Sequence, residues 1–191
     1  MAPVAQIGRG SPIGAPRIHP AAQIHPHACV NDNVTIGART TVWQFASVIR
    51  HAHIGADCTV ATSALIDGAT IGNRCKIQHC AAVGPGIILH NDVFVGPFAM
   101  FCNDTWPSID KDGFDMDALL SGEWTVVVRD GASIGAHATI LPGVTIGAGA
   151  TIAAGVVVRC DVPDRHLFGP DGLIVPLDPD RPRKRMKFAS C

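Results

Sequence analysis

Three residues of this 191-residue chain have the right chemistry to hold an amine and take up its proton: Asn103, Asp104 and His79. An asparagine amide offers a donor and an acceptor, and an aspartate carboxylate can hold an ammonium group. Histidine titrates closest to neutrality and can accept a proton from a reacting nitrogen. Each also has a plainer reading: Asn-Asp pairs often launch turns, and an isolated histidine often serves only a surface or intersubunit hydrogen bond. The nine histidines include no HxxxH or HExxH arrangement on a helix, so no metal is expected. The seven cysteines are scattered, odd in number and without CxxC spacing, which favours reduced thiols in a cytoplasmic protein.

These residues must be positioned by a repeat. An isoleucine or valine returns every six residues at Ile18, Ile24, Val30, Ile36, Val42, Val48, Ile54, Val60 and Ile66. One five-residue step follows, and the pattern resumes at Ile71, Ile77, Val83, Leu89, Val95 and Phe101. It returns at Val128, Ile134, Ile140, Ile146, Ile152 and Val158. A period of six fits neither a helix nor an alternating strand. It predicts an all-β parallel β-helix in which each hexapeptide forms one wall of a three-sided coil, its aliphatic residue pointing to the axis. On that coil Asn103 falls one layer above Pro85. The stretch 103–125 breaks the period and reads as a loop excursion, of a length that is commonly functional or disordered. The expected organisation is a β-helix domain over 1–165 and a C-terminal extension over 166–191.

Composition sets outer limits. No apolar run approaches the length of a membrane span, and a net charge of −1 gives no global drive toward nucleic acid. A basic cluster, Arg181-Pro-Arg-Lys-Arg-Met-Lys187, stands apart at the C-terminus. It reads either as a solvated tail or as a clamp for ligand phosphates.

The repeats resemble the hexapeptide acyltransferase superfamily, whose members are left-handed β-helices assembled as trimers. Left-handedness is implied by that resemblance alone, since the general preference of crossover connections is right-handed. Two segments narrow the match. Lys76-Ile-Gln-His-Cys80, Asp92-Val-Phe-Val-Gly-Pro97 and Phe101-Cys-Asn-Asp104 with Pro107 resemble the KIQNN, DVFxGP and FTNDxxP pattern of nucleotide-linked 3-amino-sugar N-acetyltransferases. Val42-Trp-Gln-Phe45 is similar to their WHF segment. The chain departs from the pattern at His79 and Cys80, where the family has two asparagines, and at Pro85, where many members are acidic.

The resemblance implies an acetyl-CoA-dependent N-acetyltransferase acting on a nucleotide-linked amino sugar, cytoplasmic and homotrimeric, with no metal, nucleic acid or membrane partner. Amine attack on a thioester needs mainly positioning and a partner for the departing proton. Asn103, Asp104 and His79 are the catalytic candidates, with Trp106, Gln78 and Pro85 the candidate substrate contacts. Trp43, Phe45 and Trp106 could each stack a nucleotide base, though aromatics at solenoid corners often pack between subunits, the reading that suits Trp43 better. The coils after the loop match those along which the superfamily lays coenzyme A. There Ala136, Gly143, Ala148, Ala154 and Gly155 would leave a shallow groove for the pantetheine, and Arg159 would meet a phosphate. Small residues are also what solenoid corners need for packing alone. The alternatives are an O-acetyltransferase of the same fold or a non-catalytic β-helix assembly module.

Overall fold

The computed structural model describes residues 14–31, 33–105, 109 and 125–178. Over these residues the chain is a left-handed parallel β-helix. Short strands β1 (Arg17–Ile18), β2 (Gln23–Ile24) and β3 (Cys29–Val30) form the three walls of the first coil. The walls then repeat in the same order up to β21 (Val157–Val158). Strands of each wall stack into a parallel sheet: A contains β1, β4, β7, β10, β13, β16 and β19; B starts with β2 and β5; C starts with β3 and β6. Among the described residues there is no helix long and apolar enough to cross a membrane.

The six-residue pattern explains why the chain turns this way. Ile36, Ile54, Ile71, Leu89, Val128 and Ile146 line sheet A from inside, and all are buried. Val42, Val60, Ile77, Val95, Ile134 and Ile152 line sheet B, while Val48, Ile66, Val83, Phe101, Ile140 and Val158 line sheet C. Just before many of these strands sits a second inward residue, usually small, such as Ala46, Ala64, Ala81, Ala99 or Ala138. In other coils Val34, Cys58, Cys75, Val93 and Val144 fill the same place, so the corner takes small to medium apolar side chains. Burying each large aliphatic stabilises the coil by roughly 1.5–3 kcal/mol. A parallel ladder buried on its inner face therefore holds strands of only two residues, such as Thr41–Val42.

Register shows where the repeat is cut short. Thr35 pairs with His53 eighteen residues on, and Lys76 pairs with Thr59 seventeen residues back. The missing residue lies at the corner after β9 (Leu65–Asp67), the five-residue step seen in the sequence. Gly68 takes that shortened corner at φ +62°, and a Cβ there would lie 3.1 Å from the Arg50 carbonyl oxygen. At the far end β22 (His166–Phe168) stacks on β20 (Thr151–Ile152) and pairs antiparallel with β23 (Ile174–Pro176). Phe168 is buried and closes the core. The C-terminal extension thus adds two strands to sheet B.

Candidate functional site

Each coil has three corners, and the predicted residues fall on different ones. Between sheets C and A lie Pro85, Asn103, Asp104, Gly143 and Arg159; between B and C lie Gln78, His79, Ala136, Ala154 and Gly155. Ala148 lies at the A–B corner. Trp106, most of the loop excursion and the basic cluster lie outside the described residues.

The C–A corner is built in layers. Asn103 follows β15 (Met100–Phe101), whose register with β18 (Thr139–Ile140) fixes its height. Its Nδ2 donates to the Pro85 carbonyl oxygen at 3.3 Å, so it does lie one layer above Pro85. With the amide nitrogen engaged, Oδ1 is the atom offered to a ligand. Asn103 and Asp104 are half-buried, at the point where the chain leaves the solenoid. Pro85 itself is buried. Its backbone carbonyl supports Asn103, while its ring lies over Gly68 of the coil below. Below Pro85, Asp67 is buried, and one carboxylate oxygen accepts from the Arg50 guanidinium at 2.5 Å. Its other oxygen, Oδ1, is buried without a hydrogen-bond partner among the described residues. Arg50 and His51 both hold left-handed backbone, φ 52° and 63°, at the same corner. Beside Asn103, burial pushes the Cys102 thiol up. It stays protonated at neutral pH and is no thiolate nucleophile.

His79 is exposed at the B–C corner, and β12 (Ala82–Val83) separates it from the C–A corner. His79 and Asn103 therefore sit on different corners of one chain. Instead His79 meets the edge of Phe98, with centroids 5.6 Å apart, and Phe98 stacks on His137 at 4.9 Å and 6°. Gln78 precedes His79 and donates its backbone N–H to the Val95 carbonyl at 2.9 Å, which holds it to the ladder.

Within one chain the six residues expected to form the coenzyme A groove fall on all three corners. Ala148 is removed from it by its bonds: its N–H donates to Asp164 Oδ1 at 2.8 Å and its carbonyl accepts from Arg165 N–H at 2.8 Å. It has no backbone donor left for a pantetheine. Gly155 and Arg159 do share a cleft of about 480 Å³ at the C-terminal end, with β21 between them. Gly143 stands at the C–A corner with φ +76°. Sequence reasoning missed Arg50 and Asp67, although the five-residue step after Ile66 marks their corner. It also passed over Phe98 and His137, which occupy the same corner position one coil apart.

A model described as the GMPPB C-terminal domain matches residues 5–105, and one described as bacterial transferase hexapeptide (six repeats) matches 125–160. The bifunctional protein GlmU of Nitrosospira multiformis is 32% identical over 68 residues, 36% of this chain and 13% of that protein. The chain therefore spans only a small part of that relative. Among solved structures, the polySia specific acetyltransferase NeuO is 13% identical, with a TM-score of 0.55 covering 90% of this chain and 88% of that one. At that identity it speaks for the fold. The acetyltransferase domain of PglB from Neisseria gonorrhoeae, solved with acetyl coenzyme A, is 20% identical. Its TM-score is 0.47, covering 86% of this chain and 58% of that one.

Proposed function

Because this chain belongs to the GMPPB C-terminal domain family and carries transferase hexapeptide repeats behind that match, we propose that it moves the acetyl group of acetyl-CoA to the amine of a nucleotide-linked amino sugar. The observation that carries the reading is the layered C–A corner, where Asn103 is held by the Pro85 carbonyl at the edge of the excursion. A neutral amine needs orientation and charge matching more than a covalent catalyst. Asn103 Oδ1 accepts from the amine, and the Asp104 carboxylate draws its ammonium form into place. The proton released on attack leaves through this polar corner or with the departing thiolate. The 3-amino position and surface-glycan role follow from the motif resemblance.

The two clusters occupy opposite edges of sheet C, whose outward side chains include the exposed apolar Leu65, Met100 and Val157. A homotrimer in which that face meets a neighbouring copy would bring one chain's B–C corner toward another's C–A corner and deepen the groove. In this assembly His79 and Gln78 contact the substrate across the interface. Light scattering on the active protein gives a trimer on this reading; a stable, fully active monomer removes it.

The reaction is tested by thiol release from acetyl-CoA with a panel of nucleotide-linked amino sugars and their hydroxyl counterparts, with products weighed by mass spectrometry. Acetylation of an amino sugar alone supports the proposal. Acetylation of the hydroxyl sugars would favour O-acetyl transfer, and no thiol release with any acceptor would favour an assembly module.

A further inference from the structure

Three arginines of the solenoid each pair with an aspartate one coil on, and one of these pairs is made differently. Arg39 and Arg74 give Nε and Nη2 to the two oxygens of Asp57 and Asp92, so the fork of each guanidinium is engaged. Arg50 gives Asp67 a single Nη2, at 2.5 Å, and among the described residues its Nε and Nη1 have no hydrogen-bond partner. Asp57 and Asp92 are exposed, whereas the Asp67 side chain is 8% exposed and that of Arg50 61%. A buried carboxylate therefore anchors an exposed guanidinium whose other donors are open to a ligand.

Packing fixes the anchor. Ile49 pairs with Asp67 in the ladder between β6 (Ser47–Ile49) and β9, and Gly68 N–H donates to the Ile49 carbonyl at 3.0 Å. The Pro85 ring lies over Gly68 from the coil above. Within this packing Asp67 Oδ1 is buried with no hydrogen-bond partner among the described residues. A carboxylate buried with one oxygen unmatched lowers stability relative to an apolar side chain, so stacking of coils does not explain it. Orienting Arg50 does.

Height in the stack narrows the ligand. The Arg50 guanidinium is bound at the level of Asp67, one coil below Pro85, and Asn103 lies one coil above Pro85 on the same corner. Two coil spacings, about 10 Å, separate the guanidinium from Asn103 along the axis. A hexose ring carrying a diphosphate on its anomeric carbon covers that length from a ring amine to its phosphate oxygens. A carboxylate on the ring itself would sit nearer the amine.

We propose that Arg50, oriented by Asp67, receives the diphosphate of the acceptor and makes the chain selective for a glycosyl diphosphate over the free amino sugar. The planar fork of a guanidinium matches phosphate oxygens. The proposal rests on the amino-sugar reading for the identity of the ligand and adds to it a specificity residue, Arg50, and a positioning residue, Asp67.

Binding is separated from chemistry by titrating the full chain, without acetyl-CoA, with the diphosphates of uridine, thymidine and guanosine and with the nucleosides themselves. Wild type binds at least one diphosphate about 10-fold or more tightly than its nucleoside. Arg50→Lys keeps the charge and a donor for Asp67 but lacks the fork, and it removes most of that difference. In turnover, Arg50→Lys raises the acceptor KM about 10-fold with kcat and the KM for acetyl-CoA within about 2-fold, and Asp67→Asn raises the acceptor KM by a smaller factor. The free amino sugar is acetylated equally by wild type and Arg50→Lys, which a merely structural role would not give. Diphosphate binding no tighter than nucleoside binding, diphosphate binding unchanged in Arg50→Lys, or an equal loss on the free amino sugar overturns the proposal. If Arg50-dependent diphosphate binding is found while no acceptor is acetylated, the phosphate site stands and the transferase reading falls. Acetyl transfer with an unaltered acceptor KM in Arg50→Lys removes the phosphate site and leaves the transferase reading standing.

Discussion

The A–B and C–A corners are made from similar residues and do different work. At the A–B corner, asparagines and aspartates close each coil onto the one below. Asn73 Oδ1 accepts the Ala56 N–H at 2.8 Å, Asn91 Oδ1 accepts that of Asn73 at 2.9 Å, and Asp130 Oδ1 accepts that of Asn91 at 2.8 Å. Outside them, Arg39 pairs with Asp57 and Arg74 with Asp92 through two bonds each. Each guanidinium holds its carboxyl partner below the usual range. Each of these side chains has a partner one coil away. At the C–A corner the repeat loses a residue, two neighbouring residues take left-handed backbone, and a buried carboxylate oxygen goes unmatched. The chain also leaves the solenoid there. Polar residues that satisfy one another hold coils together, whereas polar residues in a broken register remain available to a ligand.

If that contrast is right, substitutions at the two corners should separate by effect. The largest falls on Asn103→Ala and Asp104→Ala, each lowering kcat/KM by about 10- to 1,000-fold, as expected when one or two oriented polar contacts are lost. Urea unfolding of both variants should stay close to wild type. Next is Arg50→Ala, which leaves the buried Asp67 carboxylate with no partner and lowers stability by about 2 kcal/mol. Its denaturation midpoint should fall clearly, and Asp67→Asn should cost less. His79→Asn comes third. A loss of kcat/KM under about 3-fold, with any pH limb near 6–7 unchanged, fits a contact residue, whereas a general base would cost about 100-fold and remove that limb.

The smallest effect belongs to the exposed ion pairs of the A–B corner. Because Asp57 and Asp92 titrate lower in the folded chain, their stabilisation is present above the ordinary carboxylate range and is lost as pH falls through their lowered values. Exposure to solvent keeps it small. Asp57→Asn combined with Asp92→Asn should lower Tm slightly at pH 7, and the gap to wild type should close in strong acid. A gap that persists there would mean that packing, not charge, explains the ladder.

Much of this was legible from the spacing. Residues from Ile36 to Val158 named by the six-residue period point inward, because burial at a fixed point of each wall leaves a periodic trace. The Asn103–Pro85 layering could be counted the same way. His79 and Asn103 are separated by one whole coil and one further hexad, so the period itself puts them on different corners. The coenzyme A residues were harder, since small side chains are needed at all three corners and residue type cannot tell one from another. Asp67 left a trace only as a shortened step. Its partner is Arg50, a coil away, and no spacing in the sequence marks that pair.

The central claim, that the irregular corner is where the substrate amine is held, is tested most directly by one comparison. The acetylation rate of a nucleotide-linked amino sugar would be measured against pH for wild type, Asn103→Ala, Asp104→Ala and His79→Asn, with folding of each verified by circular dichroism. The account predicts collapse of kcat/KM in the Asn103 and Asp104 variants and a near-wild-type profile for His79→Asn. Wild-type rates in both C–A corner variants together with collapse in the His79 variant would contradict it.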